Sequence, residues 1–172
     1  RVRVGGAGGF EASACCLGTM TFGQQNSEAE AHRLLGTAFE RGVDFFDTAE
    51  MYPVPAKRET AGSTDRYVGS WLKSQPRDRV KLATKVAGAS EGLSYLRRDG
   101  RACRLDARSI QESVEDSLTR LGTDHIDLLQ LHWPDRYVPL FGQARYEPEK
   151  ERDAVPFEEQ LQALHRLVQE GK

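Results

Sequence analysis

Cysteine is scarce in this chain of 172 residues: there are three, Cys15, Cys16 and Cys103. Adjacent Cys15 and Cys16 cannot close an ordinary disulfide, and the count is odd. A disulfide framework is therefore excluded and a reducing compartment expected. The pair reads as small buried residues of a strand. An excess of charge is also lacking, because 24 Lys and Arg face 26 Asp and Glu, for a net charge of -2. That balance excludes a nucleic-acid-binding arm and a basic membrane-docking patch. No apolar run approaches the roughly 20 residues needed to span a bilayer. The first twenty residues contain no apolar core of a secretory signal. A cytoplasmic location is expected, with an organelle such as a plastid open if a transit segment preceded Arg1. His32, His125, His132 and His165 show no metal-ligand spacing, so no metal site is expected.

What is present is a globular composition, 38% hydrophobic and 29% charged. Residues 1–17 read as a hairpin: RVRV, a turn marked by Gly5, Gly6, Gly8 and Gly9, then an apolar run ending in Cys15-Cys16-Leu17. The glycine cluster lacks the spacing and the Lys-Ser/Thr of a phosphate loop. Ser27 and Glu30 form a capping-box pattern before a helical stripe, Leu34, Leu35, Ala38 and Phe39, that Gly42 stops. A strand follows over 43–47. Ser63 or Thr64 caps a second helix, and 80–85 is another strand. Asp106 starts a third helix with Ile110, Val114, Leu118 and Leu121 on one face, and 126–132 is a strand. Pro156 opens a fourth helix with Phe157, Leu161, Leu164 and Val168 at helical spacing. Strand and helix thus alternate, which predicts a parallel α/β sheet. A TIM barrel and a doubly wound sheet both begin this way. The long segments 86–105 and 133–155 follow strand C-termini, where a TIM barrel builds its active site. The charged stretch Arg97-Arg98-Asp99-Gly100-Arg101 in the first of them reads as a solvated insertion, with a nucleotide contact as the alternative.

Three consecutive strand ends deliver ionisable residues to one rim: Asp47, Lys85 and His132, with Tyr52 five residues after Asp47. Alternate strand residues share a face, so Phe45, Ala83 and Gln130 are expected one layer below as a mostly small or apolar plug. A buried Asp beside Lys keeps both charged at tolerable cost. A Lys close to a tyrosine favours tyrosinate and makes the phenol a better proton donor near neutral pH. A neutral histidine can orient a carbonyl oxygen. Each residue alone has an ordinary structural reading, as a turn, surface or satisfied core residue. Together they suit reduction of C=O.

The runs LGTMTFG (17–23), GVDFFDTAEMY (42–52), LATKV (82–86) and DLLQLHWPD (127–135) resemble the aldo-keto reductases. NSEAEAHRLL and AEMYPVP look most like the bacterial Tas-like branch and its plant relatives. The resemblance spans nearly the whole chain. It implies a (β/α)8 TIM barrel, here about the first four β/α units plus an N-terminal hairpin that closes the barrel bottom. It also implies NADP(H)-dependent reduction of a small-molecule aldehyde or ketone. Tyr52 matches the general acid, Lys85 the residue tuning it, Asp47 the lysine's partner and His132 the carbonyl-orienting histidine. Gly18, Thr19, Met20 and Asp47 match positions near the cofactor, and Trp133 matches a substrate-pocket residue. The family's nucleotide grip, a Ser-Asn pair, a stacking ring and a basic loop, lies mainly in its second half, and this chain stops where relatives run into the next strand. A barrel takes roughly 250 residues, so 1–172 is expected to be the N-terminal half of one barrel domain. Two other functions are left open by the sequence: a nucleotide-sensing regulatory subunit like the potassium-channel β-subunits, and an inactive truncated isoform. Substrate identity and oligomeric state are not legible.

Overall fold

A computed structural model describes residues 1–6 and 8–172. Strands β1 (Val2–Val4) and β2 (Phe10–Ala12) form an antiparallel pair. Strands β3 (Cys16–Gly18), β4 (Phe45–Asp47), β5 (Lys81–Val86) and β6 (Leu128–Leu131) form a separate parallel sheet in that order. Helices α1 (Glu28–Glu40), α2 (Ser63–Leu72), α3 (Ala107–Leu121) and α4 (Phe157–Gln169) each follow one of these four strands. Every strand lies beside its predecessor. A doubly wound sheet would reverse direction at a switch point, so this order is that of the opening β/α units of a barrel.

Local chemistry explains the helices. Ser27 accepts from the Glu30 amide while the Glu30 carboxylate accepts from the Ser27 amide, which closes the expected capping box on α1. Asp106 caps α3 by accepting from the Ser109 amide, and Gly122 ends that helix at φ 66°. The outward face of the sheet carries Phe46 and Leu82, both buried, against Leu35, Val68, Trp71 and Leu121 from the helices. Val86, Ile110, Val114, Ala163 and Leu167 form the core beneath α3 and α4. Each buried Val, Leu, Ile or Phe side chain among these contributes about 1.5–3 kcal/mol. Asp47, Lys85 and His132 occupy the opposite face.

The hairpin seals the far end of the sheet. Phe10 meets Phe45, the first residue of β4, edge-on at 5.7 Å, and Lys81, the first of β5, lies over the Phe10 ring. The Ser13 amide donates to Asp44, whose carboxylate also pairs with Arg1 at 2.7 Å. The hairpin itself is shorter than 1–17, because Cys16–Gly18 belongs to the parallel sheet. Cys15 and Cys16 are exposed instead of buried, since β3 has a neighbour on one side only. Neither Ser63 nor Thr64 caps α2. The N-cap is Gly62 at φ 71°, where a Cβ would lie 2.5 Å from Arg120 Cδ, and the Thr64 hydroxyl donates to the Phe22 carbonyl. The α4 stripe is also turned from expectation. Ala163 and Leu167 face α3, leaving Phe157, Leu161 and Val168 exposed.

Both long segments are tied down by one carboxylate. Asp135, after β6, has a side chain with no solvent exposure. It accepts two-pronged bonds from Arg104 and further bonds from the backbone amides of Leu105 and Val155, each at 2.8 Å. Neither segment is therefore a free loop. Asp135→Ala strands those amides and the arginine, and should cost about 3 kcal/mol of stability. Urea unfolding of the variant checks this; a loss below about 1 kcal/mol, the scale of an ordinary surface pair, would contradict it.

Candidate active site

The rim is assembled by backbone pairing before any side chain acts. The Thr19 amide donates to the Asp47 carbonyl, the Thr48 amide to Ala83, the Glu50 amide to Lys85 and the His132 amide to Val86. Each bond ties backbone just past one strand to the neighbouring strand. Lys85 Nζ then lies 2.6 Å from Asp47 Oδ2 and donates to the Thr48 carbonyl at 2.8 Å. It sits 4.8 Å from the centre of the Tyr52 ring, on its face. Tyr52, itself buried, meets His132 edge-on at 5.6 Å. The structure thus brings Asp47, Tyr52, Lys85 and His132 into one cluster.

His132 is the group whose ionisation is most plainly altered. Burial, then the neighbouring Lys85 charge, push its imidazole down to about 4, while Asp47 and Glu50 pull the other way. It is neutral at physiological pH, and its buried Nδ1 has no protein partner.

The layer beneath is not the apolar plug expected from alternation. Lys85 pairs in register with Gln130, while Asp47 pairs with Ala83. Neighbouring parallel strands are staggered, so residues equally far from their strand ends do not share a level. Gln130 therefore stands beside Lys85, and its amide donates to Asp47 Oδ1 at 3.0 Å. Asp47 is held by a cation on one oxygen and an amide on the other.

The sequence also hid a second pair. Glu50 accepts two bonds from Arg97, both at 2.9 Å, and one from the Ala87 amide at 2.7 Å. The stretch 97–101 is only partly solvated: Arg98, Asp99 and Gly100 are exposed, whereas Arg97 and Arg101 turn inward onto carboxylates. Arg97 is buried, Arg98 pairs with Asp116, and Arg101 pairs with Glu112. An acidic residue two positions before the tyrosine was the one signal of this in the sequence.

The remaining expected site residues differ in what they offer. Thr19 is fully buried and spends its hydroxyl on the Asp47 carbonyl. Gly18 has open space where a Cβ would project, and Met20 is exposed. Trp133 donates its indole N–H to the Ala89 carbonyl and covers Gly88, where a Cβ would lie 2.2 Å from the Trp133 carbonyl oxygen. Its ring contacts His132 at 5.0 Å and Phe141 at 5.5 Å. Although Cys16 is exposed overall, partial desolvation and then Asp47 push its thiol up to about 11, so it is no nucleophile near neutrality. Among the described residues no group of three His, Cys, Asp or Glu side chains could hold a metal ion, and no helix is long and apolar enough to cross a membrane.

Comparison with known proteins gives a consistent picture. The model of the "Aldo/keto reductase family" matches residues 14–172. Protein tas of Escherichia coli is 45% identical over 164 residues, covering 95% of this chain and 47% of its own. Norsolorinic acid reductase B of Aspergillus parasiticus is 32% identical, with 96% and 39% covered. Among solved structures, a thermostable aldo-keto reductase in complex with the inhibitor epalrestat superposes with a TM-score of 0.68 at 27% identity, covering 99% of this chain and 51% of that one. The chain spans about half the length of such relatives.

The depressed His132 value fixes a pH dependence. The unfolded imidazole binds a proton near 6.5, the folded one near 4, so the unfolded state binds more protons between these values. The stability that His132 contributes is complete above pH 6.5 and is lost as pH falls towards about 4. Urea midpoints at pH 7 and pH 5 should fall further in the wild type than in His132→Gln. Equal falls would show that His132 is not held neutral.

Proposed function

Because the chain belongs to the aldo/keto reductase family, we propose that it reduces an aldehyde or ketone to the alcohol, with NADPH as reductant and Tyr52 as proton donor. The observation that carries this reading is the placing of Lys85 between Asp47 and the face of Tyr52. Bound NADPH supplies a hydride for the carbonyl carbon. Everything else falls to residues of this chain. Neutral His132 orients the carbonyl oxygen, and Tyr52 gives that oxygen its proton as negative charge develops there. The phenolate left behind faces the Lys85 ammonium, which stabilises it until solvent returns a proton. Asp47, fixed by Gln130, holds the ammonium in place. Gly18, Met20 and Asp47 would line the nicotinamide end of the cofactor, and Thr19, fully buried, would support them by holding the Asp47 carbonyl. Trp133 would bound the substrate on the His132 side.

We further propose that residues 1–172 form half of one barrel domain. Strands β3 and β6 are the open edges of the sheet, Phe157, Leu161 and Val168 form an uncovered apolar stripe on α4, and relatives are about twice as long. Such edges and stripes favour association in water.

In the whole protein, Tyr52→Phe should lower kcat for an aromatic aldehyde by about 10²–10⁴-fold, and Lys85→Met should do likewise, with little change in NADPH affinity. Steady-state kinetics with cofactor titration measure both. Wild-type turnover by Tyr52→Phe would remove Tyr52 from the chemistry.

A further inference from the structure

We infer that the Glu50–Arg97 ion pair is a positioning device of the candidate site: Arg97, brought in by the segment after β5, fixes the turn that presents Tyr52. The inference rests on the reading of Tyr52 as proton donor, and it adds two residues and a reason for the segment after β5.

Glu50 lies two residues before Tyr52, within a turn closed by the Tyr52 amide donating to the Ala49 carbonyl. It is anchored at both ends. Its own amide bonds the carbonyl of Lys85, and its carboxylate takes the Ala87 amide and both prongs of Arg97. The turn is thereby locked to the strand that carries Lys85, the partner of the Tyr52 ring. A planar guanidinium on a planar carboxylate fixes direction as well as distance, which a single bond does not.

The segment that supplies Arg97 is itself tied down by hydrogen bonds. Ser90 and Cys103 exchange backbone bonds, Cys103 Sγ donates to the Leu93 carbonyl, and the Arg98 amide donates to Glu112 of α3. Arg97 therefore bridges α3 and the Tyr52 turn through a folded excursion.

Stability alone does not account for the pair. Its side chains are 0% and 2% exposed, and Arg97 Nε is buried without a partner. Desolvating two charges offsets most of their attraction, and apolar replacements of similar volume are often as stable. What such replacements cannot reproduce is the two-pronged lock on the turn.

That distinction supplies the test. In the whole protein, a single change leaves a lone buried charge and should lower stability as well as activity. The double variant Glu50→Gln/Arg97→Met carries no charge there and should melt closer to the wild type than either single variant while losing the lock. With 3-fluorotyrosine incorporated, the Tyr52 resonance, identified by its absence in Tyr52→Phe, should shift or split in the double variant, while that of Tyr67 on α2 stays put. kcat should fall about 100-fold with KM for the carbonyl unchanged. A Tyr52 resonance superimposable on the wild type would overturn the inference and leave the pair merely structural. If the double variant does not fold, Arg97→Lys, which keeps the charge but not the fork, takes its place with the same two outcomes. Absent carbonyl turnover in the wild type would count against the proposed reaction, and the fluorine spectrum would still decide the role of the pair.

Discussion

A lysine ammonium largely withdrawn from water is the constraint on which this rim depends. The Lys85 side chain is 11% exposed, and an unpaired charge in that position would be costly. Its partners are prescribed by that cost: Asp47 Oδ2 on one side, the Thr48 carbonyl on another, and the Tyr52 ring face on a third. Asp47 needs its second oxygen occupied in turn, and Gln130 does so. The same Lys85 charge helps keep His132 neutral. One desolvated cation therefore organises a tyrosine ring, a neutral imidazole and their supports within a few ångströms.

The surrounding fold holds this charge in place from three directions. From outside the sheet, Thr48, whose carbonyl Lys85 uses, donates its hydroxyl to buried Asp65 of α2, which also takes Arg120 of α3. From above, Glu50 and Arg97 connect the Tyr52 turn to the excursion after β5. From the side, Asp135 joins the two excursions by accepting from Arg104, Leu105 and Val155. Three buried carboxylates outside the reacting group thus each receive an arginine, and each joins segments distant in sequence. Such networks contribute less to net stability than to the uniqueness of geometry, because a half-made network is worse than none.

Much of this was legible from spacing. The capping box at Ser27, the Asp106 cap, the Gly122 stop and the four strand-then-helix units follow local rules that tertiary packing did not override. So does the arrival of Asp47, Lys85 and His132 at one rim, since strand ends in a parallel sheet share a side. The failures arose where a residue's partner lies far along the chain. Gln130 was placed with the plug because alternation along one strand is blind to stagger between strands. Arg97 looked solvated because nothing local shows that Glu50, 47 positions earlier, awaits it. Cys15 and Cys16 were expected inside because an apolar run implies burial only when both sheet neighbours are present. The α4 stripe was wide enough to admit two rotations, and contact with α3 selected Ala163 and Leu167.

The central claim is that this rim brings a carbonyl and a reduced nicotinamide together so that hydride and proton arrive at adjacent atoms. The most direct measurement follows the hydride. The whole protein would be incubated with NADPH deuterated at the transferable position and an aromatic aldehyde in ordinary water, and the alcohol analysed by mass spectrometry. The account predicts one deuterium on the carbinol carbon and an unlabelled hydroxyl. Alcohol formed without deuterium, or cofactor binding with no alcohol at all, would contradict it.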